Sequence, residues 1–349
     1  MSVAPCTRSM DLTAQVPIWL ENRVRARRRL LWMSVLLVAV VGVSVFLGRY
    51  PQVGLISPTQ VLEDPLAQRL ILNLRLPRLL AAVLVGMSLA VAGLVLQMVF
   101  SNPLVEPGFL GVSQAAAFGA ALAIVLFGGI AWRVQISAIL FGMGGLALSY
   151  LLARRVRYGG WVLRLLLSGI AVSAFFAAGV GLIKYLADPL RQLPEITFWL
   201  LGGLWSVTWK PLLSALPLII GGLLILFLMR WRLNLLGLED EVAFSLGVAV
   251  WRERLLALFA AVMVTAASIS IGGLIGWVGL IIPQLARRLS GADARDTLPT
   301  TLLLGGAFGV VCDDLARVVS AGEIPLGVLT SILGAVGFLV LMTRPTIRV

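Results

Sequence analysis

Residues Leu79–Phe100 read LLAAVLVGMSLAVAGLVLQMVF, an apolar run of 22 residues without a single charge. The hydrocarbon core of a bilayer takes about 20 such residues as one α-helix. In lipid every backbone N–H and C=O must be satisfied internally, which leaves a helix or a closed barrel. The period-2 alternation of a barrel strand is absent here, so the stretch is read as a membrane-spanning helix.

Working outward, similar runs recur along the whole chain. Leu30–Leu47, Phe109–Ala131, Val134–Ala153, Leu165–Leu186 and Leu212–Met229 are long and clear. Leu255–Ile271, Leu274–Ala286, Leu298–Val311 and Ile324–Met342 are shorter or broken by glycine. With 60% hydrophobic and 13% charged residues, the chain is read as an all-α polytopic membrane protein of about ten transmembrane helices. Residues 1–29 read as a basic cytoplasmic tail carrying Arg23, Arg25, Arg27, Arg28 and Arg29. Residues 30–343 form the membrane domain, and 344–349 a cytoplasmic C-terminus. Cys6 and Cys312 are too isolated to suggest a disulfide framework.

The arginines orient the chain. With ten spans and the N-terminus inside, 19 of the 28 basic residues fall on the inner side and 9 on the outer, as the positive-inside rule requires. The basic excess is a topology signal and not a nucleic-acid footprint. Three outer arginines stand out: Arg75 and Arg78 in NLRLPRLL, and Arg317 in CDDLAR. Their position on the arginine-poor side calls for compensation.

The catalytic and metal signatures are missing. The chain has no histidine, which with two distant cysteines excludes a zinc site. A phosphate-binding P-loop ends in Lys followed by Ser or Thr, but Lys184 precedes Tyr185 and Lys210 precedes Pro211. Asp313 and Asp314 lack the second acidic cluster of a magnesium site and read as a helix-end pair facing Arg317. All sixteen carboxylates fall between the apolar runs or at their ends. An ionisable group at bilayer depth costs at least ~2.5 kcal/mol and usually marks an ion or proton path. The chain therefore reads as a passage whose energy comes from elsewhere, and not as an enzyme. An ion-coupled secondary transporter is the rival reading.

Several segments carry organisation. Small residues at four-residue spacing (Gly86 with Ala90, Gly169 with Ser173, Gly305 with Gly309) permit close helix packing in lipid. Leu233–Gly247, LNLLGLEDEVAFSLG, lies inside and is too charged to cross. Two short helices broken at Gly237 are expected there, with Leu236, Leu238, Val242, Phe244 and Leu246 as an apolar face. Glu239, Asp240 and Glu241 would form an acidic edge. Anionic lipid repels such an edge, so a protein partner is expected. In SNPLVEPGFLGVS, Asn102-Pro103 with Pro107-Gly108 turn the chain at the inner mouth. On the outer side, Phe198, Trp199, Trp205 and Trp209 suit an interfacial helix.

Taken together, RLPRLLAAVLVG, SNPLVEPGFLGVS, FWLLGGLWSVTW, LNLLGLEDEVAFSLGV, GGLIGWVGLIIPQLAR and DLAR followed by EIPLGVLTSILGA resemble the FecCD-type permeases of type II ABC importers. The resemblance implies a homodimer with the pathway at its interface, two cytoplasmic ABC ATPase subunits binding ATP and Mg, and one extracytoplasmic solute-binding protein. No cofactor or metal is implied on this chain. Arg75, Arg78 and Arg317 fall on the family's binding-protein docking positions. Leu236, Gly237, Leu238, Glu239, Glu241, Ser245, Leu246 and Gly247 fall on its coupling helices. Asn102, Pro103 and Leu104 fall on its cytoplasmic gate, whose second half lies near Trp161–Leu163. The implied cargo is an iron chelate (ferric siderophore or haem) or cobalamin, with molybdate or tungstate as the alternative. The implied place is a bacterial or archaeal plasma membrane, with both termini cytoplasmic. Two departures are visible: Gln284 follows Pro283 where the family usually has histidine, and Asp314 is an extra acid beside Asp313.

Overall fold

A computed structural model describes residues 12–48, 54–55, 57, 63–238, 240–320 and 322–343. Twelve α-helices organise them. They are α1 (Leu12–Phe46), α2 (Pro65–Val99), α3 (Val112–Phe127), α4 (Ala131–Arg155), α5 (Trp161–Leu186) and α6 (Gln192–Leu201). The chain continues through α7 (Trp209–Leu236), α8 (Asp240–Ser245), α9 (Val250–Gly272), α10 (Val278–Ser290), α11 (Ala294–Val318) and α12 (Leu326–Thr343). Eight of them are long and apolar enough to cross a membrane. Among the described residues the shorter α3 is apolar as well, and with α10 these helices fall on the ten expected runs. A two-residue antiparallel pairing, Leu47–Gly48 with Gly54–Leu55, follows α1.

Several boundaries differ from expectation for physical reasons. Pro at the second helical position of Leu76–Val99 does not break α2, because a π-helical turn at Ile71–Arg75 absorbs it, as local 3₁₀ and π adjustments do in membrane helices. Arg75 and Arg78 consequently lie within the span and not before it. The α1 helix extends back to Leu12, so the basic residues from Arg23 to Arg29 sit on a continuation of the first span. The third and eighth crossings start late. A 3₁₀ turn at Pro107–Leu110 precedes α3, and the glycine-bearing segment 273–277 precedes α10.

Helices α2 and α9 form the centre, with 78% of each hydrophobic window buried, whereas α1 and α12 bury 11% and 17%. The small-residue pairs explain how α2 gets its neighbours so close. Gly86 and Ala90 face Gly305 and Gly309 of α11, and a Cβ on Gly86 would meet the Gly305 carbonyl at 2.2 Å. Gly93 of α2 lies equally close to Gly279 of α10. Gly169 of α5 packs on the Phe109 carbonyl, and Ser173 donates to the Gly108 carbonyl at 3.3 Å.

Candidate functional site

The α6 end of the bundle gathers the three anomalous arginines. Arg75, Arg78 and Arg317 line one cavity of about 330 Å³ together with Trp205 and Glu323. Their compensation comes from within the chain. Arg78 Nε donates to both Asp313 oxygens at 2.9 and 3.0 Å, and its Nη1 to Glu323 at 2.9 Å. The Asp313 side chain is 1% exposed and that of Arg78 is 11% exposed. Arg317 pairs with Asp314, and its Nη2 reaches Ser44 Oγ at 3.3 Å. Ser44 Oγ in turn donates to Asp314 at 2.6 Å. Arg75 Nη1 donates to the Val45 carbonyl at 3.4 Å.

Two expectations are corrected here. Asp313 and Asp314 do not both face Arg317: successive helical residues diverge by about 100°, so Asp313 turns to α2 and Asp314 towards α1. Asp313 also lies inside α11 and not past its end. It is tolerated because a buried charge holds when it is paired and hydrogen-bonded.

At the opposite end, α8 is the one short helix among the described residues of 233–247, and Leu233–Leu236 prolong α7 instead of forming a second. Leu233 and Leu236 are buried in the main core, so Leu236 is not available to a partner. Leu238, Val242, Phe244 and Leu246 are exposed, Phe244 by 74%. Gly237, Glu241, Ser245 and Gly247 are also exposed, and Gly247 ends the segment in the left-handed region at φ 81°. Glu239 lies outside the described residues. Asp240 turns inward to Arg254 of α9, Oδ1 to Nη2 at 2.7 Å. Arg254 also covers the Trp161 ring, with its guanidinium carbon 4.9 Å from the centroid. Trp161, at the start of α5, stacks on Phe100 at 5.5 Å. Phe100 ends α2 immediately before the Ser101–Leu104 turn.

That turn is held by its own side chain: Asn102 Oδ1 accepts the Leu104 N–H at 3.0 Å. Ser101 takes φ 48°, a left-handed value rare outside glycine. Leu104 is half exposed while Val105 is buried. Gln284 Nε2 donates to the Pro103 carbonyl at 2.9 Å. The chain then folds back, so that Glu106 lines a small cavity with Leu89, Thr265 and Trp277. Burial pushes the Glu106 carboxyl above its ordinary range, partly offset by the nearby Trp277 backbone N–H.

The sequence singled out the turn at Asn102–Leu104, the segment 233–247 and the arginines, and of the elements near that turn it named only the neighbourhood of Trp161. It missed Arg254, Glu106 and Gln97. Arg254 had a signal, since Arg254–Ala257 repeats the order of Arg78–Ala81 in the other central helix. Glu106 and Gln97 had none, because their neighbours at the start of α10 and along it are distant in sequence.

The sequence profile of the FecCD transport family matches residues 27–344. The molybdate import system permease protein MolB of Haemophilus influenzae is 41% identical over 320 residues, 89% of this chain and 94% of that protein. The hemin transport system permease protein HmuU of Yersinia pestis is 40% identical over 277 residues, 78% of this chain and 83% of that protein. A solved structure described as an inward-facing conformation of a metal-chelate type ABC transporter superposes with TM-score 0.84 at 40% identity, covering 90% of this chain and 99% of that one. The ten-helix bundle and these matches along nearly its whole length agree: the chain belongs to the FecCD transport family and is an ABC importer permease.

Proposed function

We propose that this chain is the membrane half of an ATP-driven importer for a metal chelate, ferric siderophore or haem, with cobalamin as the neighbouring cargo. Two copies enclose the pathway in a plasma membrane, with both termini in the cytoplasm. A solute-binding protein docks at the end carrying Arg75, Arg78 and Arg317. Two ATPase subunits grip α8 at the other end. The observation that carries the reading is the continuous contact from α8 to the turn at Asn102–Leu104. Asp240, Arg254, Trp161 and Phe100 touch in sequence, so a pull on α8 reaches the residues read as the gate. Because Phe244 and its apolar neighbours stand exposed beside a fixed Asp240, α8 has the form of a knob seated on a rigid base. Such a base transmits displacement instead of absorbing it.

The 41% identity to a molybdate permease over 94% of that protein's length favours a second cargo reading, molybdate or tungstate. One experiment separates the two. The chain is reconstituted with its ATPase and binding protein in liposomes, and ATP-dependent uptake of ⁵⁵Fe-siderophore, haem, cobalamin and ⁹⁹Mo-molybdate is compared. Uptake of a chelate alone supports the first reading and uptake of molybdate alone the second. Brisk uptake by the chain without the ATPase overturns both in favour of an ion-coupled transporter.

A further inference from the structure

Helix α10 runs along the segment that follows the Ser101–Leu104 turn and fastens it at two points. Towards the α8 end, Gln284 Nε2 donates to the Pro103 carbonyl at 2.9 Å. At the helix start, Glu106 and Trp277 line the same cavity of about 40 Å³, where the Trp277 backbone N–H draws the Glu106 carboxyl down against the effect of its burial. Between the two points, Gly279 lies against Pro107, where a Cβ would meet Pro107 Cδ at 3.4 Å.

The helix is itself anchored. Gln97 of α2 donates to the carbonyls of Gly279 and Leu280 at 3.1 and 3.4 Å, and accepts from Arg287. Trp277 holds φ 70°, a conformation that costs a bulky residue energy and persists only where its surroundings fix it. Its ring is fixed against Phe338 of α12 at 6.3 Å.

We propose that Gln284 and Glu106 are positioning residues that tie the 103–106 segment to α10, so that the segment opens only when α10 shifts. This rests on the reading of Asn102–Leu104 as the gate. Gln284 satisfies the role of a donor, which a histidine at the same position also fills. Glu106 satisfies the role of an acceptor at a helix start, where the first N–H groups lack intrahelical partners. Neither role depends on side-chain bulk, and that separates the proposal from ordinary packing.

The test uses the full chain with Val105→Cys, a residue 3% exposed that sits between the two fastenings. Its labelling by a water-soluble maleimide is timed in purified protein, with the unaltered chain as the blank for Cys6 and Cys312. Gln284→Glu keeps the shape but removes the donor, and should speed labelling about tenfold, the scale of one lost hydrogen bond. Gln284→His keeps a donor and should stay within about twofold, well inside that scale. Glu106→Ala should behave as Gln284→Glu does, and Glu106→Gln, which retains an acceptor oxygen, as the parent. Melting temperatures are matched, and the Gln284→Glu and Gln284→His pair carries the test alone if Glu106→Ala misfolds. Equal labelling across all variants overturns the proposal. Labelling needs no ATPase, so failure of ATP-driven uptake with this labelling pattern intact removes the importer reading and leaves the fastening. Flat labelling with intact uptake removes the fastening alone.

Discussion

Arg254 reaches back from the first turn of α9 to Asp240 of α8 while its guanidinium lies over Trp161. The side chain of Arg254 is 9% exposed and that of Asp240 is 63% exposed, so the pair is half in water. Removing the acid strands a buried cation that has little else to bond, and its Nε already lacks a partner. A fully buried pair broken in this way loses about 3–5 kcal/mol, and the exposure of Asp240 brings the expected cost near ~1 kcal/mol.

The first prediction concerns coupling. Asp240→Asn should leave ATP hydrolysis by the assembled complex within about twofold of the parent, since it removes a contact of surface-pair strength. Cargo carried per ATP should fall about fivefold or more, as expected for ~1 kcal/mol lost from the contact that transmits motion. Arg254→Lys keeps the charge but loses the planar fork and should fall in the same direction. Uptake and phosphate release measured on the same liposomes check this, and a parallel fall in both rates would assign the pair to stability alone.

The second prediction separates docking from folding among the arginines at the α6 end. Arg78→Glu would set a third carboxylate against Asp313 and Glu323, so it should lower the yield of folded protein whatever docks outside. Arg78→Met leaves Asp313 buried without its main partner and should cost about 3–5 kcal/mol. The double variant Arg78→Met with Asp313→Leu should recover most of that loss, because a buried ion pair often exchanges for apolar residues at little cost. Thermal unfolding of the four proteins in detergent checks the cycle.

How much of this was legible beforehand follows from the range of each interaction. The apolar helices were readable because hydrophobic length is a local property. The small-residue pairs were readable as spacing but not as partners. Only the fold shows that Gly86 and Gly305 face each other while Gly169 meets a backbone turn. The arginine anomaly was visible as a charge count, yet its solution pairs residues 235 positions apart, Arg78 with Asp313. The two-helix expectation after the sixth span failed because Leu233 and Leu236 kept the period of α7 and remained in its core. Glu106 looked like a loop carboxylate because nothing local reveals that the chain folds back beside Leu89.

The third prediction tests a close helix contact, that of α2 with α11. Gly305→Ala puts a Cβ 2.5 Å from the Gly86 carbonyl, a backbone atom that cannot rotate away. Overpacking of this kind costs about 1–3 kcal/mol. Gly144→Ala in α4, where nothing lies within 4 Å, should leave the melting temperature unchanged or slightly raised, since alanine costs a helix about 1 kcal/mol less than glycine. Equal melting points for the two variants would mean that α2 and α11 do not pack as described.

The last prediction concerns Glu106 and pH. Its carboxyl is raised by burial, with the Trp277 N–H acting the other way, so the folded chain holds this proton more tightly than the unfolded chain does. Over the window from the ordinary carboxylate value up to the raised one, the folded state binds more protons. Stability therefore falls as pH rises through it. Glu106→Gln removes the titration while keeping an oxygen that can accept from Trp277. The difference in melting temperature, variant minus parent, should thus grow as pH increases from mildly acidic to neutral and then level off. A difference constant across that range would show that Glu106 meets water in the folded chain as freely as in the unfolded one, and that the carboxylate does not sit at the start of α10.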